Sequence, residues 1–216
     1  MSTKNELVID VWSDVVCPWC FIGRRRLQKA VAALDQEVKV KINHRAFQLQ
    51  PDISDVVKTS EHLAHKYRID PAQVSAMQAN VCSIADGEGL CYDLGDTYSG
   101  NTSDAHRLLL WAESVGKGDE LLEAMYSGYF EKKKSLFTRA DLIEVAKQVG
   151  IGSDEVNTLL DSDNYKDQIK SDQALASQLG ANGVPFYVVN MKYGISGAQP
   201  QEAFNETLKA ALAQAE

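Results

Sequence analysis

Cysteine and proline are scarce in this chain, four and five among 216 residues, and no apolar run is long enough to span a bilayer. Four cysteines with one close pair do not make the framework of a disulfide-stapled domain. A second CxxC is missing, so a closed zinc site lacks half its thiolates and no metal is expected. Positive charge is in deficit, 22 Lys and Arg against 30 Asp and Glu for a net charge of −8, which argues against the basic face that nucleic acid requires. The runs Arg24-Arg25-Arg26 and Lys132-Lys133-Lys134 read as solvated helix faces. Strand character begins at about Leu7, leaving no room for the apolar core of a secretory signal. A cytoplasmic location without membrane contact is therefore expected, where stable structural disulfides are uncommon.

What the chain does have is a sequence of contrasting patterns. Leu7 to Trp12 (LVIDVW) is a short apolar run with β-branched residues, as in a buried strand. Apolar residues at 22, 27, 30, 31 and 34 then follow a helical spacing, and Val38 to His44 (VKVKINH) alternates as a second strand. Strand, helix, strand predicts a right-handed unit with parallel strands. From about Thr59 to Gly180 the patterns are almost all helical, with starts at Asp70-Pro71 and at Thr138 with Asp141 three residues on. Strand character returns at Pro185 to Asn190 (PFYVVN) and Tyr193 to Ile195, before an amphipathic helix from Pro200 to about Ala213. The order predicts an α/β fold: a sheet domain formed by residues 1–58 and 181–216, split by a helical insertion over 59–180.

The pair Cys17 and Cys20 in CPWC lies where the first strand gives way to the first helix. Chance alone would supply such spacing in roughly one chain in twenty, so context must decide. Pro18 suits the first helical position, which places Cys17 at the N-cap and Cys20 one turn along the same face. Residues so placed have Cα atoms roughly 5 Å apart, within disulfide range. The Cys17 sulfur is expected to meet the free N–H groups of Trp19 and Cys20 and the positive end of the helix dipole, which favour a thiolate. Cys17 is thus the candidate nucleophile and Cys20 its resolving partner. Cys82 is expected to be a buried core thiol and Cys91 a loop or core thiol. Asp14 is expected to be exposed before the motif, where its charge would oppose thiolate formation. Trp12 reads as core, while Trp19 and Phe21 could rim a peptide cleft.

CPWC after a first strand, GVPF before a late one and helices between them resemble the DsbA-like thioredoxin superfamily. NTSDAHRLLLWA (Asn101 to Ala112) and YGISGAQP (Tyr193 to Pro200) are similar to its FrnE-type cytoplasmic branch. The resemblance implies a thioredoxin fold with a large all-helical insertion and a cis Val184–Pro185 bond beside the nucleophilic cysteine. Pro185 joins the two cysteines as a catalytic candidate, and the Val184 backbone would receive an extended peptide as an added strand. Pro18 and Trp19 complete that substrate surface. Their Pro-Trp dipeptide differs from the Pro-His of the strongly oxidising periplasmic members, which implies a less oxidising couple.

The resemblance further implies dithiol–disulfide exchange on protein or small-thiol substrates, no bound cofactor, glutathione as a candidate co-substrate, and a homodimer through the helical block as one arrangement. Two rival readings remain at this point. Related hydroxychromene carboxylate isomerases and kappa-class glutathione transferases carry a serine-type nucleophile at the Cys17 position and bind glutathione. Ser196, Gly197 and Gln199 match the loop that approaches glutathione in those relatives, with a plain strand-to-helix loop as the alternative. The other rival is a non-enzymatic chaperone or binding module built on the helices. Asn101, His106 and Arg107 open a helix that could overhang the cleft, with Asn101 as a candidate substrate contact and helix capping or interhelical packing as the alternative.

Overall fold

The computed structural model describes residues 6–214. Its main sheet has the strand order β2-β1-β5-β6, formed by β1 (Glu6–Ser13), β2 (Lys39–Ala46), β5 (Phe186–Val189) and β6 (Tyr193–Ser196). β1 pairs parallel with β2, from Glu6 opposite Lys39 to Ser13 opposite Ala46. On its other side β1 pairs antiparallel with β5, Trp12 facing Phe186 and Ile9 facing Val189, and β5 turns back antiparallel along β6. The mixed sheet is thus closed only when the two ends of the sequence meet.

Alternation along β1 assigns its two faces. Leu7, Ile9 and Val11 point to one side, where Leu27 and Ala30 of α1 (Pro18–Ala32) and Phe204 and Leu208 of α9 (Gln201–Ala213) cover them. Trp12 points to the other, against Phe186, Val188 and Ala176 of α8 (Lys166–Gln178). The Trp12 indole N–H donates to the Asp172 carbonyl at 2.8 Å, so its one polar atom is satisfied in the core.

Between β2 and β5 lie α2 (Thr59–Tyr67), α3 (Pro71–Asp86), α4 (Ser103–Ser114), α5 (Gly118–Lys132), α6 (Arg139–Gln148) and α7 (Ser153–Leu160), followed by α8. Both helix starts read from the sequence are present as complete capping boxes: Asp70 with Gln73, and Thr138 with Asp141. The helical patterns did not announce a two-stranded ribbon, in which β3 (Val57–Lys58) pairs antiparallel with β4 (Tyr98–Ser99). Two-residue strands carry too little alternation to be seen. One apolar cluster runs from Cys17, Cys20 and Phe21 into Leu108, Leu121, Met125, Tyr126 and Phe130, so the start of α1 is packed directly against the helices.

The triple-arginine run is the clearest departure from expectation, because it is not a solvated face. Arg24 is buried and meets Asp119 at 2.9 Å and Glu123 at 3.2 Å. Arg25 pairs with Glu123 and stacks on Phe21, its guanidinium 4.6 Å from the ring centre. Arg26 binds Glu88 at 2.7 Å and the Ala198 carbonyl at 2.6 Å. The signal was in the periodicity: 20, 24 and 27 form one stripe of the helix, so Arg24 lies on the buried face.

Candidate active site

Cys17 is the N-cap of α1, with extended backbone and Pro18 following at the first helical position. The Cys20 amide donates to the Cys17 carbonyl at 3.0 Å, and the Cys17 amide donates to the Asp14 carbonyl at 3.0 Å. Both cysteines are free and buried, and the Cys20 thiol lies within hydrogen-bonding reach of Cys17. Burial pushes the Cys20 thiol well above its ordinary range, and the neighbouring Cys17 adds to the effect. Two thiols so close can close into a disulfide with little movement of the helix.

The Cys17 side chain makes no cap hydrogen bond, contrary to the expectation that its sulfur meets the helix N–H groups. It donates instead to the Val184 carbonyl, 3.5 Å away across 167 residues of sequence. A neutral thiol is a donor and seeks a carbonyl, whereas a thiolate only accepts. The first turn of α1 carries no acidic residue, so nothing charged there competes for its N–H groups. The Val184–Pro185 bond is cis, Pro185 is buried, and Val184 is half-buried beside Cys17.

The loop after β6 is fastened to the same place. The Gly197 amide donates to the Pro185 carbonyl at 2.8 Å, with Gly197 in the left-handed region at φ +79°. Gln199 turns its side-chain amide back onto the Ser196 carbonyl at 2.8 Å, and Ser196 is exposed. Pro18 and half-buried Trp19 lie between the cysteines, and the Pro18 carbonyl accepts from the Tyr92 hydroxyl at 2.7 Å. Tyr92 belongs to a stack with Phe130 (5.0 Å between ring centres) that continues through Phe21 to Tyr126, the last two 4.9 Å apart.

Asn101 makes its bonds elsewhere. Its amide is taken up by Gln48, the Ser103 N–H and the Pro51 carbonyl, bracing the loop after β2 against the start of α4. Arg107 is likewise structural, a buried guanidinium binding the carbonyls of Leu159, Ser162 and Asn164. Asp14 is buried, not exposed: one carboxyl oxygen accepts from the Leu49 amide at 2.8 Å, and the other lies 3.4 Å from Nε2 of buried His106. Nothing near Asp14 in sequence marks that partner, which arrives on α4. Cys82 is half-buried on α3 and Cys91 is exposed in the loop beyond it, neither a fully buried core thiol. Among the described residues no group of three or more His, Cys, Asp or Glu is arranged to hold a metal, and no helix is long and apolar enough to cross a membrane.

The family model of the DSBA-like thioredoxin domain matches residues 8–209. The chain belongs to that family. Its fold superposes on a probable DsbA oxidoreductase, SCO1869 of Streptomyces coelicolor, with a TM-score of 0.92 at 38% identity, covering 96% of this chain and 91% of that one. Similarity extends to the uncharacterized protein YwbO of Bacillus subtilis, 22% identical over 202 residues, 93% of this chain and 94% of the relative. The fold is shared more distantly with the cytosolic disulfide reductase DsbM of Pseudomonas aeruginosa, solved with GSH, at a TM-score of 0.63 and 15% identity over 95% of this chain and 99% of that one. As a DSBA-like protein the chain has the thioredoxin fold expected from its motifs, with nine helices among the described residues.

Proposed function

We propose that this DSBA-like protein is a thiol–disulfide oxidoreductase whose Cys17–Cys20 pair exchanges with disulfides or dithiols of proteins or small thiols. The Cys17 thiolate attacks one sulfur of a substrate disulfide, and the other leaves as a thiolate. Cys20, deprotonated, then attacks Cys17 Sγ, releasing the second substrate sulfur and closing the Cys17–Cys20 disulfide. Substrate gains two electrons and the pair loses two; the reverse sequence oxidises a dithiol. The backbone of Val184, against Cys17, is the edge on which an extended substrate segment would pair.

The observation that carries this reading is the convergence of Cys17 at an uncapped helix start, Cys20 one turn on, and Val184 on the Cys17 sulfur at 3.5 Å. The pair needs no metal or prosthetic group, and glutathione would serve as a small-thiol co-substrate that restores its redox state. We place the reaction in the cytoplasm, in keeping with four cysteines of which one pair is close. With Trp19 rather than histidine beside Cys20, the couple should be less oxidising than about −120 mV, the value of the strong periplasmic oxidants.

The test is insulin reduction by glutathione with the wild-type chain and with Cys17→Ser. Loss of turnover in the variant is expected. Retained turnover, or tight glutathione binding by a wild-type pair that never cycles, would overturn the assignment.

A further inference from the structure

Cys20 lines a cavity of about 30 Å³. On the same measure one water needs roughly 10–15 Å³, so the space takes two. Its wall is apolar in part, but it includes Cys20, Ser13, Tyr126, Tyr187, His44 and Asp119. Two of these present polar atoms with no protein partner: the Tyr187 hydroxyl and Nδ1 of His44, on side chains more than nine-tenths buried. Tyr126 is engaged with Ser13. Buried polar atoms left by the protein in a space of this size are the sites that internal water fills.

The other nitrogen of His44 has acidic neighbours. Its Nε2 lies 3.7 Å from Asp119 Oδ1 and 3.9 Å from Glu113 Oε1, and the Asp119 carboxyl is largely exposed. Two carboxylates at Nε2 select the tautomer with its proton there, which leaves Nδ1 as a lone-pair acceptor. One end of the imidazole is therefore a buried acceptor and the other is a donor facing a solvated acid.

We propose that this cavity is the proton port of Cys20, with water between the Cys20 thiol and His44 Nδ1 accepting the thiol proton and His44 passing one on from Nε2 to Asp119 and solvent. The port rests on the exchange reading above and supplies its second step. As the Cys20 S–H bond breaks, the sulfur keeps the electron pair and attacks Cys17 Sγ, and the substrate sulfur leaves with the pair of the broken S–S bond. The charged and titratable groups that face His44 fix the direction. Asp119 and Glu113 attract the imidazolium, and Arg24 from α1 opposes it. Tyr126 and Tyr187 stay protonated because burial pushes both hydroxyls far up, and the unpartnered Tyr187 hydroxyl is the one free to donate toward water or the developing thiolate. Cys20 is also neighboured by Asp14 and Cys17, the first of which is already held by Leu49 and His106.

The experiment uses the full chain with Cys82→Ser and Cys91→Ser, mixed rapidly with dithiobisnitrobenzoate. A second-order release of thionitrobenzoate reports attack by Cys17, and a first-order release reports resolution by Cys20. In His44→Gln the first-order phase should slow about tenfold or more near pH 7 and recover as pH rises, while the second-order phase stays put. Tyr187→Phe, which keeps the ring, should shift the same profile by a smaller amount and covers the case in which His44→Gln does not fold. An unchanged first-order profile in the folded variants overturns the port, and a shift in Asp14→Asn with none in His44→Gln does so by moving the base to Asp14. A parent chain with no first-order phase at any pH would instead remove the exchange reading itself.

Discussion

Three helices show how differently a helix can be secured. α3 and α6 are held at their ends, each by a reciprocal capping box that satisfies the first N–H groups: Asp70 with Gln73, and Thr138 with Asp141. α1 has a cysteine at the same position, no side-chain cap and no acid in its first turn. It is held along its flank, by Arg24 on Asp119 and Glu123, by Arg26 and Lys29 on Glu88, and by contact of Gly23 with Tyr187. A capped end would be occupied, and the N–H groups there are what a Cys17 thiolate requires. Anchorage has moved from the end of the helix to its side, leaving the end free for chemistry.

Substitutions can break or sharpen this contrast, beginning with the largest effect. Cys17→Ser should remove disulfide exchange entirely while leaving stability unchanged or raised by up to about 1 kcal/mol, because serine is a good cap. Urea unfolding of the variant checks this, and a loss of several kcal/mol would show the thiol to be a packing element instead. Gly23→Ala comes next. A Cβ there would lie 2.2 Å from the Tyr187 hydroxyl, so a cost of about 1–3 kcal/mol is expected. Adding Tyr187→Phe should return part of it, and a double-mutant cycle with no coupling would refute the flank contact.

Asp70→Ala and Thr138→Ala should each cost about 1 kcal/mol and leave exchange rates untouched, as befits ends that only hold. The smallest effect is expected at Glu88. Its burial opposes ionisation, but hydrogen bonds from Lys29 and Arg26 outweigh that and hold the carboxyl below its ordinary value of 4.5. A depressed carboxyl contributes stability above its unfolded value and loses it as pH falls through the folded one. Glu88→Gln should therefore be less stable than wild type at neutral pH, with the gap closing below about pH 4.5, as thermal melts across that range would reveal.

The features written locally in the chain were the ones legible from it. LVIDVW and PFYVVN are apolar runs that any buried strand shows, Asp70-Pro71 and Thr138 announce their helices within four residues, and CPWC carries its own context, whereas Val184-Pro185 gained its place only through the family resemblance. The illegible features all depend on a partner far away. Asp14 is a lone carboxylate between two apolar stretches, and only the Leu49 amide and His106 on α4 explain its burial. His44 continues the alternation of β2, yet nothing in that strand tells that α5 will bring Asp119 to its outer nitrogen. Three consecutive arginines look like a charged face until α5 and the turn after α3 supply their acids. The β3–β4 ribbon failed for another reason, being too short for any period to register.

The hydrogen bond between Cys17 and Val184 also has a consequence in time. Its two ends are separated by 167 residues, and a ribosome adding about 5–20 residues per second needs about 8–33 s to cover them. Throughout that interval β1 has no β5 to pair with, and Cys17 lacks the Val184 backbone that later lies against it. The nascent chain carries its cysteine pair before it carries the site around it.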